Sequence, residues 1–313
     1  MKLGFLYAGQ GSQHPGMGAD LYEAFPTFRK ALDSAGQRVD FDLMEVSFTD
    51  AAGVLNQTRY TQPCMVAFAG GLTAVLAERG IVPSAAVGLS LGEYSALCAA
   101  GVFDADTAVE LAAFRGQAME KAAAGRPSAM VAVLGLDRAP LQEACDGAAA
   151  QGCVVIANYN CPGQLVLGGD KAAVEAAAAL AKEKGARRCL PLKVSGPFHT
   201  PLMAPAGEAL AERFRTVEFR EPQIPVVFNS LGTEKPEGVT IPELLVRQVQ
   251  SSVYMEDSIR YLAAMGLDAL VEIGPGKALS GFVKKTVPAL PVYAVETAAD
   301  VEELTETLKG ENT

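Results

Sequence analysis

Several residue types that carry chemistry are scarce in this chain of 313 residues. It has no tryptophan and only two histidines, His14 and His199, and its six cysteines form no Cys-x-x-Cys pair. These scarcities exclude the common spacings of zinc ligands, so we expect no metal site. Six isolated thiols in a chain of this length indicate reduced, mostly buried cysteines, and we expect a cytoplasmic protein.

Positive charge is also in short supply. Lysine and arginine number 26 against 36 acidic residues, which gives a formal net charge of −10. Nucleic acids and anionic membranes both require a basic surface, so we expect neither as a partner. We expect no signal peptide at the N-terminus. The uncharged segment 60–77 contains Gln62, Pro63 and two glycines, which indicates a buried helix rather than a membrane span.

Half of the chain is apolar, which is enough for a large buried core. Strand-like and helix-like segments alternate from Leu3 onward, as in a parallel sheet covered on both faces. Between residues 130 and 192 the predicted order is β-α-β-β-α-β, the ferredoxin-like arrangement. We therefore predict an α/β fold. A large α/β-hydrolase-like domain (1–126 and 195–313) would hold a mainly parallel sheet and carry an inserted small ferredoxin-like domain (127–194).

The segment Gly88-Leu89-Ser90-Leu91-Gly92 is typical of a nucleophile elbow. A strand-like segment precedes it and a helical pattern follows it, as an exposed serine nucleophile requires. Glycine on both sides lets the strand and the helix approach closely, and the N–H groups of the helix start can stabilise an oxyanion. The pattern predicts Ser90 as a nucleophile. The alternative is a chance match in a chain rich in glycine and alanine.

A reactive serine needs a base, and the choice lies between two histidines. His199 stands before Thr200, a good N-cap, and Pro201, a good first helical residue. The positive end of that helix favours the neutral imidazole, which can accept a proton. We predict His199 as the base, and a histidine that only belongs to a capping loop is the alternative.

The loop Gly9-Gln10-Gly11-Ser12-Gln13-His14 follows the first predicted strand. It fails the Gly-x-Gly-x-x-Gly fingerprint of dinucleotide sites because His14 occupies the last position. A glycine loop at the end of a strand can instead donate backbone N–H groups to an oxyanion. A plain tight turn is the alternative.

Arg115 lies on the apolar side of a predicted helix, 107–123, opposite Glu110, Gln117 and Lys121. A guanidinium on an apolar face needs an anionic partner or a path to solvent. An internal salt bridge or a snorkelling side chain is one interpretation, and an anionic substrate is the other. Gln248 and Glu272 are weaker signals, typical of a polar residue at a helix end and of a capping or ion-paired carboxylate.

Together these segments resemble the malonyl-CoA:acyl-carrier-protein transacylase family. The resemblance covers nearly the whole chain in the order of the family, with the insert in the expected place. The matching segments are Gly9-Gln10-Gly11-Ser12-Gln13, Tyr60-Thr61-Gln62-Pro63, Gly88-Leu89-Ser90-Leu91-Gly92-Glu93-Tyr94, Arg115-Gly116, Asn158-Tyr159-Asn160, Pro162-Gly163-Gln164, Gly196-Pro197-Phe198-His199 and Glu272-Ile273-Gly274-Pro275-Gly276.

The resemblance implies a role for each candidate residue. Ser90 would carry the acyl group as an ester and His199 would activate it. The backbone N–H groups of Gln10 and Leu91 would form the oxyanion hole, and Arg115 would pair with the malonyl carboxylate. The family has no acidic third member, and a main-chain carbonyl, matching Gln248, orients the histidine.

The resemblance also implies the substrate and the lining of its pocket. Phe198, just before His199, resembles the residue of the malonyl-selective members at this position. This predicts a preference for malonyl over methylmalonyl. Leu89 stands where the family often has histidine, and we expect this departure to alter the pocket lining alone. Asn160 is expected in the same lining.

The resemblance thus implies an acyltransferase that moves the malonyl group from malonyl-CoA to acyl carrier protein for fatty acid synthesis. We expect a monomer with no bound cofactor, coenzyme A entering as the thioester substrate. One alternative is a serine thioesterase or esterase of α/β-hydrolase type, which would normally add an acidic residue between the serine and the histidine. Another is a non-catalytic nucleotide- or carrier-binding module.

Overall fold

The computed structural model of the protein describes residues 1–310 and contains nine β-strands and thirteen α-helices within them. The strands are β1 (Leu3–Tyr7), β2 (Ala85–Gly88), β3 (Ser128–Leu134), β4 (Val154–Cys161), β5 (Gln164–Asp170), β6 (Arg188–Pro191), β7 (Val226–Val227), β8 (Ala269–Ile273) and β9 (Val292–Val295). The helices are α1 (Ala19–Ala24), α2 (Pro26–Gly36), α3 (Leu43–Phe48), α4 (Thr58–Glu78), α5 (Gly92–Ala99), α6 (Ala105–Ala123), α7 (Arg138–Ala148), α8 (Lys171–Glu183), α9 (Ala204–Phe214), α10 (Ile241–Val249), α11 (Met255–Ala264), α12 (Ala278–Thr286) and α13 (Ala298–Gly310).

The first of two compact units is formed by Met1–Gly116, Glu218–Phe228 and residues 260–310. Its sheet has five parallel strands in the order β7-β2-β1-β8-β9. Every residue of β1, β2 and β8 is buried, as in strands that helices cover on both faces. Because Tyr7 pairs with Gly88, the loops that follow β1 and β2 begin side by side at one edge of the sheet.

The second unit is formed by Gln117–Val217 and Asn229–Ile259. Its four-stranded antiparallel sheet has the order β4-β5-β3-β6, and the elements follow one another as β3-α7-β4-β5-α8-β6. Apolar side chains of β3, β4, β5, α7 and α8 form one buried cluster. The fold is thus α/β, with a mainly parallel sheet and a separate antiparallel one. The predicted insert, 127–194, lies inside this unit, which also holds α9 and α10, so the domain boundaries stay a prediction.

Helix α4 is the one helix within residues 1–310 that is long and apolar enough to cross a membrane. Of its most apolar window, 72% is buried inside the protein, which is the pattern of a core helix. The helix begins at Thr58, two residues before the predicted segment, and contains Pro63, as that segment does. Proline removes one backbone donor at that point. The flanking turns still form because the residues around Pro63 are buried against the rest of the protein.

Two elements of the first unit do not stand out in the sequence. Helix α12 contains Gly281 and directly follows a Gly-Pro-Gly turn, two features that weaken a helical pattern. Strand β9 has four residues and lies at the edge of the sheet, where three of its side chains are only half-buried. Such a short edge strand lacks both the alternation and the continuous apolar run on which strand prediction depends.

Candidate active site

Ser90 occupies a sharp turn between β2 and α5. Its backbone has φ 55°, a left-handed conformation that costs a non-glycine residue about 1–3 kcal/mol. A Cβ on Gly88 would lie 1.9 Å from the carbonyl carbon of Gly92, and a Cβ on Gly92 would lie 2.4 Å from the carbonyl oxygen of Tyr7. Both glycines are therefore required for the turn to form. The strand–turn–helix arrangement predicted around Ser90 is present.

The loop after β1 packs directly against this turn. A Cβ on Gly9 would lie 2.6 Å from the carbonyl oxygen of Leu89, and the N–H of Leu89 donates to the Tyr7 carbonyl at 2.9 Å. The Gln10 side chain donates to Thr58 Oγ1 at 3.1 Å.

Two backbone N–H groups in this region differ from their neighbours in their hydrogen bonding. Among residues 1–310, the backbone N–H groups of Gln10 and Leu91 donate to no acceptor of the chain. Leu91 is nearly fully buried, and an N–H group buried without an acceptor is costly. The two groups are thus available to an oxygen atom of a ligand.

Arg115 is fully buried beside the Ser90 hydroxyl. Its Nη2 donates to Ser90 Oγ at 3.0 Å and its Nη1 donates to Gln62 Oε1 at 2.8 Å. The guanidinium also lies over the Tyr94 ring, 5.7 Å from its centroid. Burial lowers the pKa of Arg115, and the charges of Tyr94 and Glu93 act in the opposite direction. An acyl group on Ser90 would therefore find a positive charge within hydrogen-bond range of its ester oxygen.

Gln62 was not singled out among the candidate site residues. The signal was present, because an uncharged polar residue lies in an otherwise apolar helix and inside one of the segments that carry the resemblance. It is 1% exposed, and a side-chain amide buried so completely must find hydrogen-bond partners within the protein.

His199 lies in the second unit, in a loop that is attached to the end of α10. Its Nδ1 is 2.8 Å from the Gln248 carbonyl and its backbone N–H donates to the Val249 carbonyl at 3.2 Å. Helix C-terminal carbonyls lack intrahelical donors, so both are natural acceptors. With Nδ1–H donating to Gln248, Nε2 carries the lone pair that can take a proton. The residue is 4% exposed and has φ 61°.

The remaining candidates fall in both units. Phe198 and Asn160 belong to the second unit and are 6% and 8% exposed, whereas Leu89 belongs to the first and is half-buried. The Asn160 Oδ1 atom is buried and accepts no hydrogen bond from the described residues.

Two other sequence signals have structural explanations. Glu272 is buried in β8 and accepts from the backbone N–H groups of Leu279 and Ser280, so it caps α12. His14 Nε2 contacts Glu296 Oε1 at 2.5 Å. Within residues 1–310 no group of three or more potential metal ligands occurs, and all six cysteines are free.

Comparisons with known proteins place these features in a family. The acyl transferase domain family matches residues 4–309. The malonyl CoA-acyl carrier protein transacylase of Bacillus subtilis strain 168 is 41% identical over 312 residues, which cover 99% of this chain and 98% of that protein. This chain belongs to the malonyl CoA-acyl carrier protein transacylase family.

Solved structures agree with this membership. The malonyl CoA-acyl carrier protein transacylase of Clostridium perfringens superposes with a TM-score of 0.96 at 36% identity, covering 100% of this chain and 98% of that one. A malonyl-transacylase in complex with a type II PKS acyl-carrier protein superposes with a TM-score of 0.94 at 37% identity, covering 98% and 100%. Transacylases of this family thus share the α/β architecture described above.

Proposed function

We propose that this chain transfers the malonyl group from malonyl-CoA to the phosphopantetheine thiol of acyl carrier protein, supplying fatty acid synthesis. The observation that carries the proposal is the buried guanidinium of Arg115, 3.0 Å from the Ser90 hydroxyl. A cation beside a nucleophile selects an acyl group that carries its own anion. Malonyl is such a group, and the acyl transferase relatives supply the reaction class.

The first half-reaction forms an ester on Ser90. Its Oγ attacks the thioester carbonyl carbon while its proton passes to Nε2 of His199. The carbonyl oxygen becomes an oxyanion, which the N–H groups of Gln10 and Leu91 stabilise. The C–S bond then breaks, and coenzyme A leaves as a thiol with the proton from His199. The hydrogen bond from Nδ1 to the Gln248 carbonyl supports this role, because it fixes the tautomer that has a basic Nε2.

The second half-reaction reverses these steps with a different thiol. The phosphopantetheine thiol gives its proton to Nε2 of His199, and its sulfur attacks the ester carbonyl carbon. The ester C–O bond breaks, and Ser90 Oγ takes the proton back. The main-chain carbonyl of Gln248 serves both half-reactions, so the Ser–His dyad needs no carboxylate.

Specificity is proposed to come from charge first and from shape second. A buried arginine left without the substrate carboxylate is penalised, which disfavours acetyl and longer neutral acyl groups. Phe198 would exclude the extra methyl of methylmalonyl, and Leu89 and Asn160 would complete the lining. A serine thioesterase is not favoured, because the similar proteins are transacylases, 41% and 40% identical to this chain.

We further propose the finer description of the protein. The large domain, 1–126 and 195–313, would be α/β-hydrolase-like, and 127–194 would form a ferredoxin-like insert; the β4-β5-β3-β6 order supports the latter. The protein would act as a cytoplasmic monomer. It would use coenzyme A thioester as a substrate without a bound cofactor and would bind neither nucleic acid nor membrane, in keeping with its acidic charge.

Intact-mass measurement after incubation with malonyl-CoA tests the proposal. We expect one malonyl adduct on the parent, loss of the adduct on addition of acyl carrier protein, and malonylated carrier as the product. Ser90→Ala should form no adduct, while Ser84→Ala, an exposed serine just before β2, should label like the parent. Release of the adduct as free malonate at the same rate with and without carrier would instead identify a thioesterase.

A further inference from the structure

Gln62 contacts the end of the Arg115 guanidinium that faces away from the nucleophile. Its Oε1 accepts from Nη1 at 2.8 Å, and the other terminal nitrogen, Nη2, donates to Ser90 Oγ at 3.0 Å. Both Gln62 and Arg115 are essentially inaccessible to solvent. The guanidinium is planar and rigid, so fixing one nitrogen fixes the direction of the other.

The backbones of α4 and α6 hold this pair of side chains in register. A Cβ on Gly116 would lie 2.8 Å from the Thr58 carbonyl oxygen and 2.9 Å from Arg59 Cα. Helix α6 therefore touches the first turn of α4 one residue after Arg115. Gln62 lies one turn further along α4, so backbone contact sets the separation of the two side chains.

The charge of the acceptor matters as much as its position. A glutamine oxygen orients a guanidinium without neutralising it. A carboxylate in the same place would form a charge-assisted pair with Arg115 and compete with a carboxylate on the substrate. The neutral amide of Gln62 thus adds no negative charge at its end of the guanidinium.

We propose that Gln62 is a positioning and specificity-determining residue, which aims Arg115 at the acyl site and, being neutral, places no carboxylate beside the guanidinium to compete with that of the acyl group. The inference rests on the proposed malonyl transfer and deepens it. It states that the preference for malonyl over neutral acyl groups depends on two residues, of which only one is charged.

The test compares rates of ester formation from malonyl-CoA and acetyl-CoA by intact-mass measurement in the parent, Gln62→Glu and Gln62→Met. We expect Gln62→Glu to lower the malonyl-to-acetyl ratio of rates by about tenfold or more, because its carboxylate occupies the guanidinium. Gln62→Met keeps the side-chain volume but removes the acceptor. It should lower the ratio by about three- to tenfold, chiefly through a higher KM for malonyl-CoA.

Thr73→Val is the matched control. Thr73 lies in the same helix, and its hydroxyl is within 3.2 Å of the Tyr7 hydroxyl, so the variant also removes a hydrogen bond of α4. We expect it to leave the ratio unchanged.

An unchanged malonyl-to-acetyl ratio in Gln62→Glu, whether both rates stay the same or fall equally, would show a structural role and overturn the inference. If Gln62→Glu does not fold, an unchanged ratio in Gln62→Met overturns it equally. Failure of the parent to form a malonyl ester refutes the proposed function itself, and is seen before any variant is compared.

Discussion

Replacement of Arg115 by methionine is the most direct test of the link between this structure and its substrate. Methionine fills a similar volume and removes the charge together with hydrogen bonds that include those to Gln62 and Ser90. The guanidinium that is removed is fully buried beside the Ser90 hydroxyl. Loss of these hydrogen bonds affects every acyl group alike, so a comparison of malonyl with acetyl isolates the interaction of the cation with the acyl carboxylate.

The size of the effect follows from burial. Removing one partner of a buried ion pair costs about 3–5 kcal/mol, because the other charge is left buried and unpaired. The malonyl carboxylate would be in this position when it binds to Arg115→Met. Such a loss corresponds to a fall of about 10²- to 10⁴-fold in kcat/KM for malonyl-CoA. Acetyl-CoA brings no carboxylate, so its rate should stay within about threefold of the parent or rise.

The assay measures single-turnover formation of the Ser90 ester with each thioester, alongside circular dichroism to establish that the variant is folded. Arg115→Lys serves as the control, because it retains the charge but lacks the planar fork and should give an intermediate malonyl rate. Equal losses for malonyl and acetyl, or a malonyl rate within about threefold of the parent, would refute the electrostatic reasoning.

Two predictions concern stability. Gly88→Ala should prevent folding or lower the melting temperature sharply, since its Cβ would lie 1.9 Å from the Gly92 backbone; Gly281→Ala, with open space around its Cβ, should stabilise α12 by about 0.5–1 kcal/mol. Thermal unfolding measures both glycine variants, and similar changes in melting temperature for the two would contradict the steric argument. A hydrogen bond with the Pro15 carbonyl and the contact with Glu296 raise the pKa of His14. The ion pair of His14 with Glu296 therefore stabilises the folded protein at pH values below the ordinary histidine pKa. This stabilisation is lost as the pH rises through the raised pKa. His14→Ala should lower the free energy of unfolding in urea by less than about 1 kcal/mol at pH 6 and leave it unchanged at pH 9; equal effects at both would contradict the pairing.

The turn at Ser90 could be predicted because its requirements are local. Gly88 and Gly92 lie within two residues of the serine, and their role depends on the chain directly around them. The apolar face that carries Arg115 could be predicted for the same reason, since helical periodicity is a local property.

The partner of Arg115 could not be derived in that way. Periodicity left an internal salt bridge and an anionic substrate as open alternatives. Gln62, which decides how the guanidinium is held, comes from a helix 53 residues earlier in the chain. Only packing of α6 on α4 brings the two together, and Gly116 at that contact has no signal of its own in a single sequence.

The backbone at His199 shows a further limit of local patterns and supports its proposed role. Within residues 1–310 only Asp50, Ser90 and His199 combine a side chain with positive φ. Asp50 has a local explanation, because its carboxylate accepts the N–H groups of two residues shortly after it. His199 has none, and strain of this kind persists only where the surroundings enforce it. Here the consecutive carbonyls that end α10 take both the backbone N–H and the ring Nδ1–H. The end of α10 thus fixes both the loop and the tautomer of His199. In serine–histidine–aspartate sites a carboxylate fixes the tautomer of the histidine.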